Sequence, residues 1–323
     1  MKRILIMVMS CNQDFFIEEE KIIKDTWAKP IIDKKYDNID FIIYRGDSQR
    51  NTYEKSNNLL LINCEDDLPS TYKKTYLAFK LANKIFQYDY IFRTNTSTYI
   101  NVELLNEFVQ TLIDDDHVWG GELYSLVECK CPDPCDLYLR GSSVIYPKKL
   151  IDRIITDGIT LKYLELNDDW AIGNILNSYW IKNNIDYTEY VKSYPHGWYK
   201  CIDGEYDNGN TICLYGNINK DFNFLNRFIS IQVKNYSSRE DESKKFYEIN
   251  EVFENNSYTN INDIIKTIYL YSVNPNIFLG ENLKYISLSS WKDMSKSKIY
   301  NLEFSTRRYE IDKINLMNRP KLI

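Results

Sequence analysis

Apolar positions along the chain fall into short unbroken runs that alternate with longer stretches of helical spacing, which predicts an α/β protein. Residues 3–9 form a continuous apolar run of strand length. Residues 14–27 follow with Phe16, Ile22, Ile23 and Trp27 at helical intervals, and residues 41–44 form a second apolar run, so the chain opens β-α-β. A third run covers 59–63. Pro69 then introduces a helix over 70–86, with Tyr72, Tyr76, Phe79, Leu81 and Ile85 available to a core. Residues 88–93 read as the next strand and 102–113 as the next helix. The polar residues Thr94 to Thr98 therefore sit at a strand's carboxyl end, where open α/β sheets bind ligands.

Further along, 118–121 and 141–146 read as loop and strand pieces, and 148–156 as a helix. Another helix, 171–183, follows the pair Asp168-Asp169, for which Asp168 is a natural N-terminal cap. Residues 229–234 suggest a last strand. Beyond about 236 the sequence becomes charged and rich in Ser and Asn, which reads as a loop before apolar segments return near 264. The predicted organisation is one α/β domain over 1–255 and a C-terminal extension over 256–323.

Composition narrows the function classes. Hydrophobic residues at 44% and charged residues at 27% describe a globular chain. A net charge of -6 supplies no basic footprint, so nucleic acid is not an expected partner. No apolar run reaches the roughly 18 to 20 residues that span a bilayer, and the first nine residues lack a signal-peptide cleavage site. The expected location is cytoplasmic. The 27 tyrosines fit either an AT-rich genome or a sugar site lined by aromatic faces. Among seven cysteines, Cys11 and Cys64 lie in apolar contexts. The cluster Cys129, Cys131 and Cys135 fits free thiols, one local disulfide, or a zinc site completed by His117, Cys201 or Cys213.

Five polar motifs occur in order: Asp25-Thr26-Trp27, Lys74-Thr75, Arg93-Thr94-Asn95-Thr96-Ser97-Thr98-Tyr99-Ile100-Asn101, Arg140-Gly141-Ser142, and Asp168-Asp169-Trp170-Ala171-Ile172-Gly173. In this order, over roughly residues 4 to 200, the chain resembles the fringe and β-1,3-galactosyltransferase family of GT-A enzymes. Its members carry Arg-Asp-Thr-Trp, a Lys-Thr helix, Lys-Thr-Asp-Asp-Asp, a Gly-rich strand and an acidic pair three residues before Gly.

The resemblance implies a GT-A fold, a Rossmann-like twisted and mostly parallel sheet with helices on both faces. It further implies inverting transfer of a hexose or N-acetylhexosamine from a UDP-sugar to a glycan hydroxyl. Asp169 falls on the family's catalytic base, which takes the acceptor proton. Lys74 falls on a donor-binding position, and Asp168, Asn95, Thr96, Ser97 and Arg140 complete the expected donor site. Trp27 is expected to pack against the sheet.

The departure lies in the triplet. The family holds manganese there with carboxylates, whereas Asn95, Thr96 and Ser97 are neutral and bind a hard cation weakly. Three consequences stay open. Arg93, with Lys74 and Arg140, replaces the metal at the diphosphate; or Asp66, Asp67 or His196 recruits one; or the chain is an inactive sugar-binding protein.

Overall fold

The structure, a computed structural model, describes residues 1–113, 116–120, 123–125, 137–139, 141–158, 167–186, 190–193, 198–200, 229–233 and 239–255. Its elements in order are β1 (Ile4–Met9), α1 (Asp14–Asp25), α2 (Lys29–Ile32), β2 (Ile39–Gly46), β3 (Glu54–Ser56), β4 (Leu59–Ile62), α3 (Thr71–Ile85), β5 (Tyr90–Asn95), β6 (Thr98–Ile100) and α4 (Val102–Thr111). They continue with β7 (Val118–Gly120), β8 (Leu123–Ser125), β9 (Leu137–Leu139), β10 (Ser143–Pro147), α5 (Lys148–Asp157), α6 (Asp168–Lys182), β11 (Val191–Ser193), β12 (Trp198–Lys200), β13 (Ser230–Gln232) and α7 (Arg239–Glu254).

Among the described residues, eight strands form a mixed sheet in the order β11-β7-β10-β5-β1-β2-β4-β3. The contiguous centre, β5-β1-β2-β4, is parallel, and β10 and β3 add antiparallel neighbours on either side. Strands buried on both faces carry apolar side chains at every position, as the run from Ile4 to Val8 does. Alternation then divides them. Ile4, Ile6, Val8, Phe41, Ile43 and Phe92 pack against α1, α2, α4 and α7. Leu5, Met7, Ile42, Tyr44 and Ile91 pack against α3, α5 and α6 on the other face. The α/β fold with helices on both faces is thus present. No helix among the described residues is long and apolar enough to cross a membrane.

Smaller sheets finish the architecture. β6 leaves the end of β5 and pairs antiparallel with β13, which pairs parallel with β12, while β8 and β9 form a ribbon. Trp27 is buried just past α1 and meets Phe41 of β2 edge to face, with ring centres 5.5 Å apart. Two local expectations are corrected. The charged stretch after 236 enters a helix, α7, because Phe246, Ile249 and Val252 recur at helical spacing and bury against the sheet. Helix α6 begins at Asp168 rather than near Ala171, so the Asp pair lies inside its first turn. Asn167 holds the N-cap position, without a side-chain cap bond, and Asp168 is not the cap. The extension expected over 256–323 lies outside the described residues.

Candidate functional site

Strand β1 is flanked by β2 on one side and β5 on the other, and the chain returns from β4 to β5 through α3 on the face opposite α1. The pair β1–β5 is therefore a topological switch point, and the crevice outside its carboxyl ends is where such sheets take ligands. Met9 and Asn95 face each other in register as the last strand residues of the pair. The crevice walls are the loop after β1, residues 10–13, and the turn Thr96-Ser97 between β5 and β6.

That turn is held in place from several sides. Asn95 Oδ1 accepts hydrogen bonds from the Ser97 and Thr98 hydroxyls at 3.2 and 2.9 Å. Val233 N–H donates to the Ser97 carbonyl at 2.9 Å. Thr94 and Thr98 donate to the Ser142 carbonyl at 2.6 and 3.4 Å. Thr96 and Ser97 are buried and Asn95 is half-buried. The donor set here is an amide and hydroxyls, with Asn95 Oδ1 already occupied, and it does not fit a hard divalent cation. No group of three His, Cys, Asp or Glu residues suited to a metal occurs among the described residues.

The acidic pair stands beside this turn. Gly141 N–H donates to Asp169 Oδ2 at 3.4 Å, and Gly141 precedes the Ser142 that receives Thr94 and Thr98. Asp169 Oδ1 accepts from Trp170 N–H at 2.8 Å, and its side chain is half-buried. Burial pushes the Asp169 carboxyl above the ordinary aspartate range and Asp168 pushes it further, against the pull of Arg93 and the two amides.

Asp168 faces inward. Its Oδ2 lies 2.5 Å from Arg93 Nη2 and accepts from Thr75 Oγ1 at 3.1 Å. The Tyr44 hydroxyl is 3.0 Å from Thr75 Oγ1 and completes the chain. Arg93 is 2% exposed and lies on the α3 and α6 face of the sheet, as alternation from Ile91 requires. Burial opposes its charge, but Asp168 and the Tyr44, Asp169 and Tyr146 groups around it outweigh that and hold it protonated. Any Cβ at position 141 would overlap Arg93 Nη1, so Gly141 gives the guanidinium its space.

Lys74 lies at the same sheet edge, 2% exposed, with Nζ donating to the Ser10 carbonyl at 2.8 Å and to Asp66 Oδ1 at 2.6 Å. Asp66 also accepts from Gly46 N–H at 3.0 Å and from Asn12 N–H. A Cβ at Gly46 would meet backbone oxygens of Glu65 and Cys64 at 2.7 and 2.9 Å, so only glycine lets β2 end this close to the 64–66 loop. Arg45 adds a second tie, with Nη1 donating to Asn12 Oδ1 at 3.2 Å and Nε 3.2 Å from Glu20 Oε1 without hydrogen-bond geometry. Arg45 and Tyr44 had no place among the sequence motifs, and Thr75 stood in the Lys74-Thr75 motif without a role of its own; the period of two in β2 held the signal for the first two.

Asp67 is exposed, and its carboxyl is held below the usual range by the Ser70 hydroxyl first and by the Ser70 N–H, at 2.9 Å, as a smaller pull. Arg140, His196, Lys234, and the cysteines 129, 131, 135, 201 and 213 lie outside the described residues. A cleft of about 660 Å³ is lined by Trp27, Tyr36, Tyr99, Asn101 and Phe253 and belongs to the α1 and α7 face, away from the acidic pair. Among the described residues, Asp169 lines a niche of about 20 Å³ with Tyr138, Tyr146 and Trp180, with room for one water.

No protein-family model matches the sequence, and no curated protein matches it. Among solved structures, the chain is similar to a glycosyltransferase involved in the glycosylation of the major capsid of PBCV-1, at 7% identity and a TM-score of 0.41. The match covers 76% of this chain and 98% of that one.

Proposed function

We propose that the switch-point crevice is the donor site of an inverting GT-A glycosyltransferase. It moves a hexose or N-acetylhexosamine from a UDP-sugar to a glycan hydroxyl, with Asp169 as general base. One observation carries the reading: the Asp169 carboxylate, held by Gly141 N–H, stands beside the strand-end turn that limits the crevice. A base there takes the acceptor proton while the acceptor oxygen attacks the anomeric carbon opposite the leaving diphosphate. Its raised proton affinity suits that task, because a carboxylate of higher proton affinity is a stronger base than an ordinary aspartate.

In this reading the diphosphate meets neutral donors, namely Asn95, Thr96, Ser97 and backbone amides of the 10–13 loop, with Arg140, next to Gly141 in sequence, as the cation assigned to it. Asp168 and Lys74 shape the site from beneath rather than touching the donor. The amino end of α1 adds the positive end of its dipole to the same edge.

A second reading, an inactive sugar-binding protein, is favoured by one fact: Arg93 and Lys74 are both buried and each is paired with a carboxylate of the chain. Release of UDP from a panel of UDP-sugars separates the two. The expected result is turnover at comparable rates in EDTA and in manganese. Absence of release in both would favour the binding protein, and turnover only with manganese would overturn the metal-free grip.

A further inference from the structure

We infer that Arg93 is a positioning residue, holding Asp168 so that the adjacent Asp169 is left at the Gly141 amide to act as the base. The inference rests on the reading of Asp169 as the base, and it assigns to Arg93 a task other than contact with the donor.

Two consecutive carboxylates in the first turn of a helix repel each other, and the helix dipole offsets only part of that. Here the two are given different partners. Asp168 turns under the sheet edge to the ion pair with Arg93, at 2.5 Å, and to Thr75 Oγ1, at 3.1 Å. Asp169 turns to the Gly141 amide. The guanidinium comes from β5, the hydroxyl from α3 and the supporting phenol from β2, so three elements fix the start of α6. Arg93 Nη2 also lies 3.3 Å from Met9 Sδ, the last residue of β1 and part of the crevice floor.

The groups facing Asp169 can be named from each element. Asp168 lies on its own helix, Arg93 on β5, Tyr138 on β9 and Tyr146 on β10, with the Gly141 and Trp170 amides completing the shell. Arg93 is the one cation among these described groups. Its removal leaves Asp168 unbalanced beside Asp169, and Asp169 then holds its proton to higher pH. Loss of Asp168 acts in the opposite sense, leaving Arg93 to favour the ionised Asp169. Arg93 Nε has no hydrogen-bond partner, so the charge matters more than the full guanidinium fork.

The test is the pH profile of kcat/KM for UDP-sugar turnover in the full-length protein. Arg93→Gln is expected to move the acidic limb upward by about one pH unit, a tenfold loss below the limb. Asp168→Asn is expected to move the limb downward. Arg93→Gln combined with Asp168→Asn returns it towards the wild-type position, and Arg93→Lys keeps it there. Limbs that stay fixed while kcat or thermal stability drops uniformly would overturn the proposal and make the pair purely structural. If Arg93→Gln does not fold, the downward shift of Asp168→Asn and the unmoved limb of Arg93→Lys decide the matter. Asp169→Asn in the same assay isolates the underlying reading: full activity there removes the base itself, whatever the Arg93 variants show.

Discussion

Asp169→Asn is expected to lower sugar transfer by about 10²- to 10⁴-fold, the range over which positioned acids and bases contribute. The substitution keeps the volume and one oxygen, which serves the 2.8 Å bond from Trp170 N–H, while turning an NH2 group towards the weaker 3.4 Å Gly141 contact and removing the lone pair that takes the proton. Donor affinity, measured by titration with UDP, is expected to stay within about twofold, because the lost interaction forms only in the transition state. Parallel loss of UDP binding would instead make Asp169 a binding residue. In the wild type the active form is the ionised carboxylate. Burial first and Asp168 second raise its proton affinity, so transfer falls as the pH drops through a value above the ordinary aspartate range and returns as the pH rises.

Lys74→Met is expected to destabilise the fold by about 3–5 kcal/mol, the usual cost of leaving one partner of a buried ion pair behind. The Lys74 and Asp66 side chains are only 3% and 13% exposed, which sets this pair apart from solvent-screened surface bridges. The methionine also leaves the Ser10 carbonyl without its 2.8 Å donor. Urea unfolding measures the loss, and Lys74→Met with Asp66→Asn is expected to recover part of it, because the orphaned charge is then gone. A cost below about 1 kcal/mol for Lys74→Met would show that the pair behaves as a surface bridge. Because the same carboxylate gathers Gly46 and Asn12, the variant is also expected to loosen the crevice wall.

How much of this was legible in the sequence depended on the range of the interactions involved. The central strands announced themselves because burial on both faces removes polar positions, as from Ile4 to Val8, and α3 because Tyr72, Tyr76 and Phe79 share one face. The strand-end position of Asn95-Thr96-Ser97 followed from those local patterns. The three-residue strand β6 was not readable, since it exists through pairing with β13 from a distant part of the chain. Helix α7 was hidden by its charged first turn, although Phe246, Ile249 and Val252 carried its period. Arg93 and Lys74 looked like free cations facing a ligand. Alternation already placed Arg93 on the face of Ile91, but its partner, Asp168, is brought there only by the packing of α6 against α3 and the sheet. Which carboxylate a buried cation meets is a tertiary fact, and local pattern does not contain it.

The central claim, that the crevice between β1 and β5 binds the donor, is tested most directly by amide hydrogen exchange of the full-length protein with and without UDP in EDTA. The account predicts slowed exchange in residues 10–13 and in the turn at 95–98, with the cleft around Trp27, Tyr36 and Phe253 unchanged. Protection confined to that cleft, or no protection at either crevice wall at saturating UDP, would contradict it.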